Sequence, residues 1–203
     1  MLIVFGSINV DGVLTTERLP TAGETIVGAS YAMYPGGKGA NQAVAAARFG
    51  ASVAMAGCVG EDANAQFALD ALQEAGVATE HVARTLDAPT AYASVWVDEN
   101  GENQIIVASG ANYCISADAL PVATLGEAST LLLQLEVPLV ENERIIERAR
   151  GSGARIVLNA APFSAVPDTL LGAVDILVVN EIEAKALGAA FGAAPDDEHA
   201  AAA

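Results

Sequence analysis

Five short apolar runs punctuate this chain, each separated from the next by longer stretches of other character. They are Leu2 to Phe5, Ser52 to Cys58, Thr130 to Leu135, Arg155 to Leu158 and Asp175 to Val179. A strand that is apolar on successive residues, rather than on alternate ones, has no face to give to water. Such strands lie in parallel sheets covered on both faces by helices. The pattern predicts helices from Ala40 to Phe49, ended by Gly50, and from Asn64 to Glu74, with Gly76 as C-cap. Further helices read from Pro138 to Arg150 and from Glu181 onward, Ala184 to Ala190 lying on the sheet. With 203 residues the chain is long enough for one α/β domain with a real core.

Ligands of open parallel sheets bind beyond the carboxyl ends of the strands. That rule selects Asn9 and Asp11 after the first run, Glu136 after the third, Asn159 after the fourth and Asn180 after the fifth. Two segments break the α/β rhythm. Glu24 to Tyr34 reads as extended, and Ala91 to Ser109 as a hairpin turned around Asn100-Gly101. In its first arm Ala91, Ala93, Val95 and Val97 form one face, and Tyr92, Ser94 and Trp96 the other. A small sheet apolar on both faces needs cover on both. The pattern fits a lid with one face over a ligand and the other against a partner. An edge hairpin packed on its own domain fits nearly as well.

Composition narrows the function classes. The chain is 53% hydrophobic and 17% charged, which excludes a disordered tail. A net charge of −16 repels nucleic acid and anionic membranes, so neither is a partner. It leaves room for a phosphate ligand held by a few N–H groups and one lysine. Cys58 and Cys114 lack metal-type spacing and read as buried free thiols of a reducing compartment. The N-terminal apolar run has no basic flank, and no stretch reaches membrane-spanning length, so the reading is cytoplasmic.

Pro35-Gly36-Gly37-Lys38-Gly39-Ala40-Asn41 is the most informative stretch. Its glycines let backbone approach a ligand, and it feeds a helix whose first N–H groups are expected to be free. Lys38 adds a positive charge, and Asn41 offers a donor and an acceptor. It is not a Walker A loop, because Gly39 stands where Ser or Thr is needed. A plain helix-capping turn is the simpler alternative; the lysine inside the turn favours a ligand.

Gly6-Ser7-Ile8-Asn9-Val10-Asp11, Pro20-Thr21-Ala22-Gly23-Glu24-Thr25 and Gly36 to Ala43 together resemble the opening of the PfkB-type carbohydrate kinases, ribokinases in particular. Gln134-Leu135-Glu136 with Pro138, Asn159-Ala160-Ala161-Pro162 and Asn180-Glu181-Ile182-Glu183-Ala184 follow in the family's order. The resemblance implies a ribokinase-like α/β fold over 1–203: a mainly parallel sheet with helices on both faces, plus a small β-sheet lid from segments at about 12–35 and 90–110. It implies ATP-dependent phosphorylation of D-ribose at O5, with Mg²⁺; the two-faced apolar pattern of the hairpin points to a homodimer joined through the lid. Asn9, Val10 and Asp11 would line the sugar pocket with Gly37, Lys38, Gly39, Ala40, Asn41 and Glu136. Asn180 would contact the nucleotide phosphates, and Glu183 would act through Mg²⁺-bound water.

Each residue has a simpler reading: an Asx turn for Asp11, a surface charge for Lys38, an exposed helix position for Glu183. Glu136 resists one, since a carboxylate closing a run of leucines is costly without partners. The family's Gly-Ala-Gly-Asp loop, which holds its catalytic aspartate, does not occur; Gly192-Ala193-Ala194 does not continue into it. The base is therefore expected beyond Ala203, and the family's K⁺ site, built from the same region, is expected to be missing with it. Asp196-Asp197-Glu198 reads as a helix start cut short, so the chain reads as incomplete. Another PfkB-type sugar or nucleoside kinase, or a non-catalytic sugar-binding remnant, are the alternatives.

Overall fold

The computed structural model describes residues 1–190. The features expected at Gly192 to Ala194 and Asp196 to Glu198 lie outside them. The strands are β1 (Leu2–Phe5), β2 (Asn9–Thr15), β3 (Ser30–Gly36), β4 (Val53–Gly60), β5 (Ala78–Thr85), β6 (Ala91–Val97), β7 (Asn103–Ala108), β8 (Thr130–Leu133), β9 (Arg155–Asn159) and β10 (Ile176–Val178). The helices are α1 (Lys38–Arg48), α2 (Ala63–Glu74), α3 (Leu139–Ser152), α4 (Asp168–Leu171) and α5 (Glu181–Ala190).

Six strands form one sheet in the order β10-β9-β8-β1-β4-β5, and every pair in it is parallel. The strand period of two divides the core between its faces. Ile3 and Phe5 of β1 join Leu131, Leu133, Ile156 and Leu158 under α3, where Ile145 and Ile146 face them. Val4 turns the other way, onto Val53, Met55, Ala43 of α1, and Leu69 and Leu72 of α2. Full burial of each large side chain contributes about 1.5–3 kcal/mol, and a parallel sheet needs both layers. Local chemistry sets the helix ends. Asp62 caps α2 by accepting from Ala65 N at 2.9 Å, and Gly76, at φ 83°, closes it.

The second sheet has the order β3-β2-β6-β7, with β2 parallel to β6 and the other pairs antiparallel. The hairpin of the sequence reading is β6 and β7. The extended segment Glu24 to Tyr34 becomes a strand only from Ser30. Two strands escaped the reading. In β2, Asn9, Asp11 and Gly12 interrupt the apolar pattern. β5, at one end of the large sheet, carries Glu80, His81 and Arg84, the polar composition that protects an edge. Tyr31 on β3 and Ile105, Ile106 and Val107 on β7 are exposed. Consecutive residues of a strand point to opposite faces, so the small sheet is uncovered on both sides at β7. Cys58 is buried as expected, but Cys114 is exposed, because it ends a short 3-10 turn, Gly110–Cys114, on the surface. No helix among the described residues is long and apolar enough to cross a membrane.

Candidate functional site

The chain leaves β1 at Phe5 and crosses to β2 through Gly6-Ser7-Ile8. This crossing runs against the start of α1. A side chain at Gly39 would place its Cβ 2.7 Å from Ser7 N, so only glycine lets the two backbones meet. Ser7 uses the closeness three ways. Its carbonyl accepts from Ala40 N at 2.9 Å, its Oγ accepts from Gly39 N at 3.2 Å, and its hydroxyl donates to Glu136 Oε2 at 2.6 Å. Lys38 N donates to the same Oε2 at 2.9 Å, and Lys38 Nζ stands 3.7 Å from Oε1.

These bonds correct one expectation. The first N–H groups of α1 do not wait for a ligand: Lys38, Gly39 and Ala40 donate to Glu136 and Ser7, and Asn41 N donates to Gly37 O at 2.9 Å. The anion that the helix start favours is supplied by the protein itself, as Glu136. What faces outward here is side chains.

Asp11 lies over Gly36, where a Cβ would come 2.3 Å from Oδ2. Burial, and then the charge of Glu136, push its carboxyl above the usual value of 3.8. Asn9, on the same side of β2, is buried, and its Oδ1 accepts from Asn112 Nδ2 at 2.7 Å. Val10 points the other way into the core, fully buried among Ile8, Val4 and Met55, so its side chain is no sugar contact. Ala40, on the buried face of α1, is likewise a core residue. Asn41 is exposed one turn beyond Lys38. The structure thus gathers Asn9, Asp11, Gly37, Lys38 and Glu136 at one rim, with Asn41 beside them on α1.

Asn180 and Glu183 stand apart. β10 is two strands from β8, about 10 Å by strand spacing. Here Asn180 Oδ1 accepts from Glu183 N and Glu183 Oε2 accepts from Asn180 N, both at 2.8 Å. That reciprocal pair is a capping box at the start of α5. It buries Glu183, against the simpler reading of an exposed helix residue. The described residues contain no group of three or more side chains able to ligate a metal. Glu183 alone cannot hold Mg²⁺, but its Oε1 takes no part in the cap and can accept from a water carried by the ion.

Three contributors were missed. Ser7 sits inside the Gly6 to Asp11 stretch, and its position directly after a buried strand was the available signal. Gln134, fully buried, donates to Gln42 of α1 at 2.6 Å and accepts from Asn142 of α3 at 2.8 Å, tying both helices to the end of β8. Asn112 carries no sequence signal, because it meets Ile8 across 104 residues.

Comparison with known proteins identifies the family. The model of the pfkB family carbohydrate kinases matches residues 1–203. The chain is 40% identical to the ribokinase of Haemophilus influenzae over 188 residues, which are 92% of this chain and 61% of that protein. The Arabidopsis thaliana ribokinase complexed with ribose and ATP superposes with a TM-score of 0.83 at 33% identity, covering 93% of this chain and 62% of that one. The ribokinase of Thermotoga maritima gives 0.85 at 32% identity, over 95% and 63%. The chain therefore spans about three-fifths of the length of the relatives it matches.

Proposed function

This chain belongs to the pfkB family of carbohydrate kinases, and from that premise we propose that its rim is the sugar side of a site transferring phosphate from ATP to O5 of D-ribose, giving D-ribose 5-phosphate. The observation that carries the proposal is the Glu136 carboxylate, held by Ser7 and Lys38 from distant parts of the chain, with Asp11 raised beside it.

Asp11 is half-buried and accepts no hydrogen bond from the described residues, so it gains from a ligand that brings hydroxyls. Asp11, ionised, accepts from two sugar hydroxyls. Glu136 Oε2 is occupied, so Oε1, with Lys38 Nζ nearby, meets a third. Asn9, Asn41 and the glycine turn at Gly37 complete the pocket wall. Held this way, a polyol has its hydroxymethyl group fixed in place, which is the larger part of what phosphoryl transfer asks of a protein. Asn180 contacts the nucleotide phosphates, and Glu183 reaches Mg²⁺ through water. The ion, when bound, neutralises charge on the transferring phosphate. The base that takes the O5 proton and the K⁺ site implied by the family resemblance are assigned to none of these residues.

The small sheet, at 12–35 and 90–110, acts as the lid, and its uncovered apolar face joins a second copy through Ile106 and Tyr31. Free thiols at Cys58 and Cys114 fit a cytoplasmic setting. Calorimetric titration with D-ribose, fructose and adenosine tests the substrate. Ribose should bind with the highest affinity; equal or absent binding of the three rejects it.

A further inference from the structure

We infer that Asn112 is a positioning residue that decides which end of the Asn9 amide faces the ligand; this rests on the reading of Asn9 as a sugar contact. Asn112 is buried on the 3-10 turn that follows β7, and both ends of its side chain are used at the entry to β2. Oδ1 accepts from Ile8 N at 2.9 Å, and Nδ2 donates to Asn9 Oδ1 at 2.7 Å.

The logic of the amides runs one way. A backbone N–H can only donate, so Ile8 fixes the orientation of Asn112: turned over, its NH₂ would oppose another donor. Nδ2 of Asn112 is then directed at Asn9, and Asn9 must answer with its oxygen. The Nδ2 of Asn9 is left over. It makes no hydrogen bond among the described residues, and it is not among the buried atoms that lack a partner. Asn9 therefore meets a ligand as a donor, two residues along the same strand face from Asp11, which meets it as an acceptor. A donor beside an acceptor suits a polyol, whose hydroxyls give and take protons. The turn bearing Asn112 is itself tied down, since Ala111 N donates to Pro89 O at 2.8 Å, just before β6. Asn112 thus links the strand that opens the small sheet to the turn where the chain leaves it.

Asn112→Asp separates positioning from mere support. An aspartate still accepts from Ile8 N, but its second oxygen obliges Asn9 to turn over and present Oδ1 to the ligand. Asn112→Ala removes both bonds and leaves Asn9 free to choose. A supporting role makes Ala the worse change for ribose binding; positioning makes Asp the worse. We expect Asn112→Asp to weaken ribose binding about tenfold or more, and Asn112→Ala only a few-fold. Equal losses, or a greater loss in Ala, overturn the inference. A second readout needs no sugar. The side-chain NH₂ protons of Asn112 should exchange with solvent more slowly than those of Asn9 in the unaltered protein, and the Asn9 pair should become the protected one in Asn112→Asp. An unmoved Asn9 pair overturns the inference. If the unaltered protein binds no ribose, the substrate reading fails and the exchange result still decides the role of Asn112.

Discussion

Glu136 and Glu183 are two carboxylates near the carboxyl edge of one sheet, and each caps the start of a helix. They do it in opposite ways. Glu183 caps its own helix, accepting from Asn180 three residues earlier. Glu136 caps α1 from 98 residues away, with Ser7, 129 residues away, as second donor. A local cap explains itself, because the helix gains the bond and nothing else is required. A distant one does not: α1 could have been capped by a neighbour, and instead a carboxylate closes a leucine run beside another carboxylate that is already raised. The arrangement leaves Oε1 of Glu136 and both oxygens of Asp11 able to accept hydroxyls. Asn180 and Glu183 mark a helix start; Asp11 and Glu136 form the rim proposed to hold the sugar.

The strongest way to break this contrast is at Asp11. Asp11→Asn should weaken ribose binding about a hundredfold, as hydrogen bonds to a charged group are worth about 1.5–3 kcal/mol each. It should leave the melting temperature unchanged or higher, because it removes a half-buried charge facing Glu136. Calorimetry and thermal melting of the same sample check both. Glu136→Gln should weaken ribose binding about tenfold and also lower stability, since Ser7 and Lys38 lose a charged acceptor.

Acid titration sharpens the contrast further. Ribose binding needs ionised Asp11, so affinity should fall as pH drops through its raised pKa, above the usual 3.8. Stability runs the other way for this group. Its folded pKa exceeds its unfolded one, so the folded state binds the proton more readily and is favoured as pH falls from the raised value toward 3.8. Asp62 is the counter-case. Burial works to raise its pKa, but hydrogen bonds from Thr90, Ala65 and Asn64 together hold it below 3.8. Its contribution to stability should persist until pH falls through that lowered value. Affinity should therefore fail before the α2 cap does. Denaturant melts at stepped pH, with ribose titrations alongside, check the order. The smallest effect belongs to the local cap: Glu183→Ala should cost about 1 kcal/mol of stability and leave ribose affinity unchanged. An equal loss of affinity in Glu183→Ala and Glu136→Gln would end the distinction.

The same contrast explains what could be read without a structure. The parallel sheet was legible because its strands are apolar on both faces, and the helix ends because Gly50 and Gly76 mark them locally. That Asn9, Asp11 and Glu136 would lie at one rim was legible from where they stand after apolar runs. The occupied amides of α1 were not, since their acceptors, Ser7 and Glu136, come from elsewhere in the chain. The inward side chain of Val10 was not legible, because a motif does not show the alternation that turns it into the core. Asn112 was invisible for the reason that makes it informative: its partners lie across the whole first half of the chain.

The central claim is that Asp11 and Glu136 together form a hydroxyl-accepting rim. Titration of D-ribose into the unaltered chain and into Asp11→Asn, followed by calorimetry at neutral pH, tests it most directly. The account predicts saturable binding in the first and binding about a hundredfold weaker in the second, with both samples equally folded. Equal affinity in the two, or no binding in either, would contradict it.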